Sequence, residues 1–547
     1  MLTADPDADL EGALVEWRRT RRRKRIADVH WIDALYQAYL TGLIGGIALL
    51  AASGAVGDDV LSPSELDRLL VHGHAWIGGL AALAIALGVR SGSRGGPIAL
   101  ERADVRHVLL APVDRTTAMR APVLRQLRFL AFVGTIVGGL AGNLAAKRLP
   151  GATLAWVSTG ALVGLTLVAL AIGAALVANG IRLPRWAATT LAVVLVVAAA
   201  LDGTGVTSFS PTAPFGRLAL WPQHFDVVGL IPVIVASSLL GLGVTMVGNV
   251  SLEDADRRST LVGQLRFAAT LQDLRTVIVL RRQLAMELPR IRPWVWLKVH
   301  GTGRLPVFTR GLRGVLRWPA ARVARVVLLA AAAGAALRGA WTGTTPLVLV
   351  AGFALFIAGL DAIEPLAQEV DHPSRRDTTP SPAGEIHVRH LPIALVVMVA
   401  TAALVAGAEA APGPGQVPIA VAFIGAIALA MGGTGAALVS VISGPAQHSD
   451  AWTLLPPETQ GMRLAFRTAW PPAVAIIGAA VPLLIARHFA QQGKSPEPGA
   501  LAAVGGVSVL FVLIAGWVRF RDDIRAFFKA QIDLAIPPKD DTADAKA

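Results

Sequence analysis

Apolar and polar positions alternate along this chain as charge-poor stretches, each about as long as the 20 residues a helix needs to cross a bilayer. Short polar connections and a few long ones separate them. The pattern predicts spans over residues 34–56, 73–89, 129–146, 152–178, 187–201, 227–250, 326–341, 345–363, 391–408, 416–442, 468–487 and 499–518. This is the pattern of an all-α polytopic membrane protein with about twelve transmembrane helices in two halves. The first half covers 34–250 and the second 326–518. An amphipathic, cationic N-terminal helix occupies 1–33, a polar linker 251–325 and a tail 519–547.

Inside the spans, Gly134, Gly138 and Gly142 stand in one row, as do Gly42 and Gly46, at the spacing that lets helix backbones approach closely. Trp31, Trp76, Trp186, Trp318, Trp341, Trp470 and Trp517 fall near span ends, as an interfacial belt requires. In the linker, Leu261, Leu265, Ala268, Leu271, Leu274 and Ile278 recur at helical spacing and predict an amphipathic surface helix. Residues 202–226, rich in Gly, Pro and aromatics, predict a re-entrant or interfacial hairpin on the outer side.

Composition sharpens this picture. With 54% hydrophobic residues and a mean hydropathy of +0.57, the chain is too apolar for a soluble multidomain protein. A net charge of +13 would point to nucleic acid in a soluble chain, but here the arginines sit in loops between spans. That is an orientation signal, so nucleic acid is discounted and a plasma-membrane protein with both termini cytoplasmic is expected. The absence of cysteine removes disulfides, iron–sulfur clusters and thiolate chemistry.

The stretch 96–128 is a polar, arginine-rich island between two spans. Arg102, Arg106, Arg115, Arg120, Arg125 and Arg128 outnumber Glu101, Asp104 and Asp114. An arginine costs about 2.5–3.5 kcal/mol at the bilayer centre, so the island is expected in the cytoplasm. In its core, LLAPVDRTTAMR (109–120), a Pro-Asp break before Thr116 and Thr117 predicts a turn that starts a short surface helix, a handle for another protein. The alternative is a solvated loop whose arginines only set topology. Residues 443–463 echo it with a Gly-Pro, Leu454 and Leu455, Pro456 and Pro457, and Met462-Arg463.

Candidate chemistry is sparse. The one Gly-Lys-Ser, at 493–495, has His488 where a phosphate-binding loop needs its first glycine. Asp361 and Glu364, at the inner end of a span, read as a solvated helix terminus rather than a proton relay. Asp371-His372 with His387 and His390 makes a candidate oxygen–nitrogen metal site and His72 with His74 another, but loop histidines without a third ligand at fixed spacing are usually solvated. No catalytic, cofactor-binding or metal-binding residue is expected, and the chain is read as no enzyme.

The loop LLAPVDRTTAMR resembles the coupling-helix segment of ABC-2-type exporter permeases, in particular the double-length, twelve-span type of high-GC Gram-positive bacteria. The cationic helix around Trp17 to Arg25 resembles that family's connecting helix, and PFGRLALWPQ (214–223) its outer hairpin. The resemblance implies a permease subunit that exports an apolar or amphipathic compound, such as a drug, antibiotic or lipid. The energy would come from a separate ABC ATPase acting as a dimer, which carries the ATP and Mg; membrane lipids and the small amphipathic substrate are the other partners.

By the same resemblance Pro112 and Asp114 set the turn and Leu109, Leu110 and Met119 fill a cleft in the ATPase. Arg115 and Arg120 would pair with its acids or with lipid phosphate. The second docking loop is either Leu454, Leu455, Pro457, Glu458 and Arg463, or the segment with Glu364 and Glu369 after the eighth span. Two readings from other classes stand beside this one, a proton-coupled secondary transporter and a membrane-embedded lipid-modifying enzyme.

Overall fold

The computed structural model describes residues 63–96, 114–207, 210–249, 306–371, 380–413, 415–443 and 457–535 as continuous stretches, with short pieces such as 53–56, 104–109 and 293–295. The first predicted span, most of the N-terminal helix and the predicted linker helix at 261–278 lie outside the described residues. All regular elements among the described residues are helices. Ten are long and apolar enough to cross a membrane, or eleven if a bent pair counts as one span. The protein is a multi-pass membrane protein.

Internal contacts divide the chain into two compact units, Met1–Phe267 and Ala268–Ala547, with the boundary inside the predicted linker. In the first unit α1 (Pro63–Gly92), α2 (Arg115–Ala145), α3 (Thr153–Gly180), α4 (Arg185–Gly203) and α6 (Ile231–Thr245) are the long helices, and α5 (Ala213–Ala219) is short. The second unit contains α7 (Pro306–Val315), α8 (Ala320–Trp341), α9 (Leu347–Ala362), α10 (Glu364–Asp371), α11 (Ala383–Arg389), α12 (Leu391–Ala410), α13 (Ile419–Ile442), α14 (Pro457–Gln491), α15 (Glu497–Arg519) and α16 (Arg521–Ala535).

Many bulky apolar side chains face outward, and the interior, which holds some large ones such as Leu337, Leu355 and Met398, is rich in small residues. Phe129, Phe132, Leu87, Val512 and Leu513 are all more than half exposed, while the interior of the second unit is largely alanine, including Ala333, Ala340, Ala351 and Ala402. Lipid is as apolar as leucine, so helices gain by close backbone approach and not by hiding hydrocarbon. The glycine row of α2 bears this out. A Cβ on Gly138 would fall within contact distance of Gly160 O, one on Gly142 against Trp156 O, and one on Gly164 against Gly134 O. The predicted contact face Gly134, Gly138 and Gly142 is buried, and it seats α2 antiparallel on α3.

The described residues of 202–226 form the tail of α4, turns and α5, whose Phe215 and Leu218 are fully buried. Gly216 lies against the His74 carbonyl of α1, so the short helix is clamped on the bundle. Asp226 accepts from Val228 N at 2.9 Å and pairs with Arg217 at 2.8 Å, and its own carbonyl accepts from Trp221 Nε1. The Val228 amide, then Arg217, holds the Asp226 carboxyl below the usual carboxylate range. Trp318, expected in the interfacial belt, is buried, with the Arg322 guanidinium 5.2 Å over its ring.

The two units share part of a helix-pairing order and differ in the rest, since α13 also packs closely on α14 whereas α3 and α4 are not close neighbours. In the first, α3 packs on α1, α2 and α6, and α1 packs on α4; in the second, α13 packs on α9, α12 and α15, and α9 packs on α14. The senses also agree. Gly88 and Gly92 meet Ala171 and Ala175 as Leu355 and Gly359 meet Gly433 and Ala437, parallel in both cases. The contacts Gly138 with Gly160 and Trp76 with Gly203 belong to antiparallel pairs, as does Gly352 with Ile476. Gly164→Leu is expected to force α2 from α3 and lower stability by about 1–3 kcal/mol. Gly139→Ala, whose Cβ meets nothing nearer than 3.7 Å, is expected to be silent. Thermal melting in detergent, followed by size exclusion, compares the two.

Candidate functional site

In each unit one long polar excursion interrupts the bundle, between α1 and α2 in the first and between α9 and α12 in the second. Both hold the candidate residues named above, but they are built differently.

In the first unit, a π-helical turn at Asp104–Val108 precedes α2. Asp114 caps that helix, its Oδ2 accepting from Thr117 N at 2.8 Å and from Thr117 Oγ1 at 3.0 Å. The Thr117 amide holds the Asp114 carboxyl below its ordinary range. The predicted turn is therefore present, but the short surface helix is not a separate element. Starting at Arg115, α2 runs unbroken through Pro122 to Ala145, because nothing after the cap stops it. Leu109 and Met119 do not project towards a partner either. They are buried with Leu100, Val105, Val108, Val123, Leu176 and Val247 in the unit's own core, since the turn folds the excursion back on α3. Exposed there are Arg106, Asp114, Arg115, Arg120, Arg125 and Arg128. Leu110 and Pro112 lie outside the described residues.

In the second unit α9 gives way to α10 through a bend of 62°. Pro365 sets the break, as it cannot donate to the Asp361 carbonyl four residues back. The bend turns Glu364 towards α8, where Arg322 pairs with it. Arg322 Nε also lies 3.9 Å from Asp361 Oδ1. Arg325 grips Asp361 in a fork, with Nε 2.8 Å from Oδ2 and Nη2 on Oδ1. The side chains of Arg322, Asp361 and Glu364 are only 10%, 13% and 6% exposed. One turn on, Glu369, itself buried, pairs with Arg310 of α7 at 3.1 Å. The solvated helix terminus expected at Asp361 and Glu364 is thus a buried ion-pair cluster tying α7, α8, α9 and α10 together. Glu364 and Glu369 are committed to internal partners and do not offer free carboxylates to a docking protein.

Of the alternative second-half segment, Leu454 and Leu455 lie outside the described residues. Pro457, Glu458 and Arg463 fall on the first turns of α14, which starts eleven residues before the predicted span. The stretch joins α13 to α14. Its positional counterpart in the first unit is the short turn at 181–184, so the sequence echo between 109–120 and 454–463 joins non-equivalent loops. The counterpart of the first unit's excursion is 363–390.

The spacing held a signal for the cluster that went unread. Arg322 with Arg325, and Asp361 with Glu364, are each three apart and so share a helix face. One residue escaped altogether. Glu409 falls just past the predicted end of its span, yet α12 continues to Ala410 and buries it to 3% exposure. Among the described residues no group of three or more His, Cys, Asp or Glu side chains is arranged to hold a metal ion. Comparison with protein-family models, with curated proteins and with solved structures finds no match.

Arg322→Ala strands Glu364 in the interior and is expected to cost about 3–5 kcal/mol, while joint replacement by Arg322→Met and Glu364→Leu recovers most of it. Thermal melting of the two variants against the unaltered chain reads this directly. Asp114→Ala is expected to loosen the start of α2 by about 1 kcal/mol. Because the folded carboxyl is depressed, the cap's contribution is complete above the ordinary Asp range near about 4 and is lost as pH falls through the lower folded value. Amide exchange at Thr117, corrected for intrinsic rate, should rise in both situations.

Proposed function

We propose that this chain is the membrane-spanning permease subunit of an ATP-driven exporter of ABC-2 type, moving an apolar or amphipathic compound on energy from a separate ATPase. The observation that supports this reading is the helix pairing that the two units have in part in common, each with a long polar excursion between corresponding helices. A force-receiving subunit needs that arrangement: two levers of one design, each entered by a loop on one face. In this reading both excursions face the cytoplasm and meet one subunit each of a dimeric ATPase. The exposed Arg115 and Arg120 are the contacts on the first, and the second is the excursion at 363–390 rather than the 454–463 stretch. Closure of the ATPase dimer pulls on the stiff start of α2 and on the bent α9–α10 pair, and the difference in its affinity for the two states biases the cycle.

A second reading, a proton-coupled carrier, is favoured by one observation, the buried carboxyl of Glu409. Affinity purification of the full chain from its native membrane separates the two. Stoichiometric recovery of an ATPase supports the first reading, and proton-dependent flux in proteoliposomes containing this chain alone supports the second. With the ATPase in hand, Arg115→Glu is expected to reduce transport-coupled ATP hydrolysis to its basal level without altering membrane insertion; a variant with normal coupled hydrolysis counts against docking at α2.

A further inference from the structure

The second unit keeps its paired charges at the end where α8 begins and α9 finishes. Glu409 sits at the other end, in the last turn of α12, and is of a different kind. Its side chain is enclosed, its Oε1 has no hydrogen-bond partner, and it lines a cavity of about 10 Å³ with Leu337, Val421, Leu429, Gly478 and Pro482. That volume is at the threshold for a single water.

The charged groups on the helices around it are engaged or distant. Arg338 of α8 donates from Nη1 to the Ala408 carbonyl at 3.3 Å. Arg487 of α14 donates to Ala340 O at 3.1 Å and Thr345 Oγ1 at 3.3 Å, and the ring of His488, its neighbour, hydrogen-bonds Gln492 Nε2. No charged residue lies on α13. The only one on α9 is Asp361, bound to Arg325, and the charged groups of α7, α10 and α11 belong to the opposite end of α12.

A carboxylate ion here would be buried without a counter-charge and would sit at the negative pole of its own helix, two separate penalties. A neutral acid meets neither and needs only an acceptor for its O–H. Pro482 supplies one indirectly: it has no N–H for the carbonyl of Gly478 four residues back, and both residues line the cavity with Glu409.

We propose that Glu409 is a proton-binding site, loaded in the closed bundle seen here and unloaded when α12, α13 and α14 part at this end. Of the three prolines inside α14, Pro482 with Gly478 places a weak point of that helix beside the acid, so a bend there opens the cavity and exposes the carboxyl together. A chain that cycles between the two arrangements takes up and releases one proton per second unit, whatever drives the cycle.

An apolar carbodiimide tests this on the intact chain in liposomes. The reagent adds the carboxylic O–H across one N=C bond, and the resulting O-acylisourea rearranges to a stable N-acylurea, so it reports the protonated acid. Peptide mass spectrometry is expected to find the adduct on Glu409 and not on Asp361, with labelling that falls on the order of tenfold or more as pH is raised from about 6 to about 10. Glu409→Gln should abolish the adduct and melt at the wild-type temperature, since the amide copies the neutral acid. Absence of labelling at Glu409 at every pH overturns the proposal. So does protection by sodium at constant pH, which would make this a metal-cation site. A folded Glu409→Gln variant with a clearly lowered melting temperature also counts against it, and if that variant does not fold, the wild-type labelling alone decides.

Discussion

How near two helix backbones can come is the constraint on which this bundle depends. Burying leucine against leucine wins nothing over leaving it in lipid, so the cohesive energy must come from dispersion between closely set main chains and from polar groups with nowhere else to go. The seam of α2 and α3 is the plainest case, with Gly134, Gly138 and Gly142 on one side and Gly160 and Gly164 on the other. The second unit meets the same requirement with alanine along α8, α9 and α12 and with Gly432 against Gly478. Many large apolar residues, such as Phe129, Phe132, Val512 and Leu513, are left on the outer surface.

Where backbones are this close, a charged group has two places to go. It can leave the bundle, as Arg115 and Arg120 do at the start of α2, or it can stay and be matched. The cluster of Arg322, Arg325, Asp361 and Glu364 is the matched solution, and the bend at Pro365 is what lets the two acids reach two arginines of one helix. Such pairs add little net stability, because desolvation offsets most of the attraction, but they penalise every arrangement that separates them. They therefore act as a latch that defines how α8, α9 and α10 sit together. Glu409 has no such match although it is buried, which sets it apart chemically from the paired acids Asp361, Glu364 and Glu369.

The molecule also divides into close-packed seams and places where a proline interrupts the helical ladder. The close-packed parts are the glycine and alanine seams; the chain bends at Pro365 between α9 and α10, while α14 continues through Pro471, Pro472 and Pro482, each of which leaves a backbone carbonyl without its helical donor. A transport cycle needs stiff rods and a few defined places to bend. The pairings the two units have in common give them related rods, and the second unit has buried titratable groups at both of its ends.

Much of this was legible in the chain itself. Span positions, the glycine row of α2, the cap at Asp114 and the membrane class follow from local rules: apolar length, four-residue spacing and a side chain that satisfies a free amide. The sequence reading went astray wherever the answer depended on a distant segment. Leu109 and Met119 looked like a docking surface because their apolar character is visible while the core that receives them, from Leu176 and Val247, is not. Glu364 looked solvated because Arg322, some forty residues earlier, is brought to it only by the fold. Glu409 looked like part of a loop because a charge ends an apolar window, although the helix that carries it does not end there. The sequence alone determined which segments lie in the membrane, since that is settled by each segment's own transfer from water. Only the tertiary structure decided which charges are paired, which is sealed in alone and which remain outside, since burial and pairing are properties of neighbours that the chain order does not place side by side.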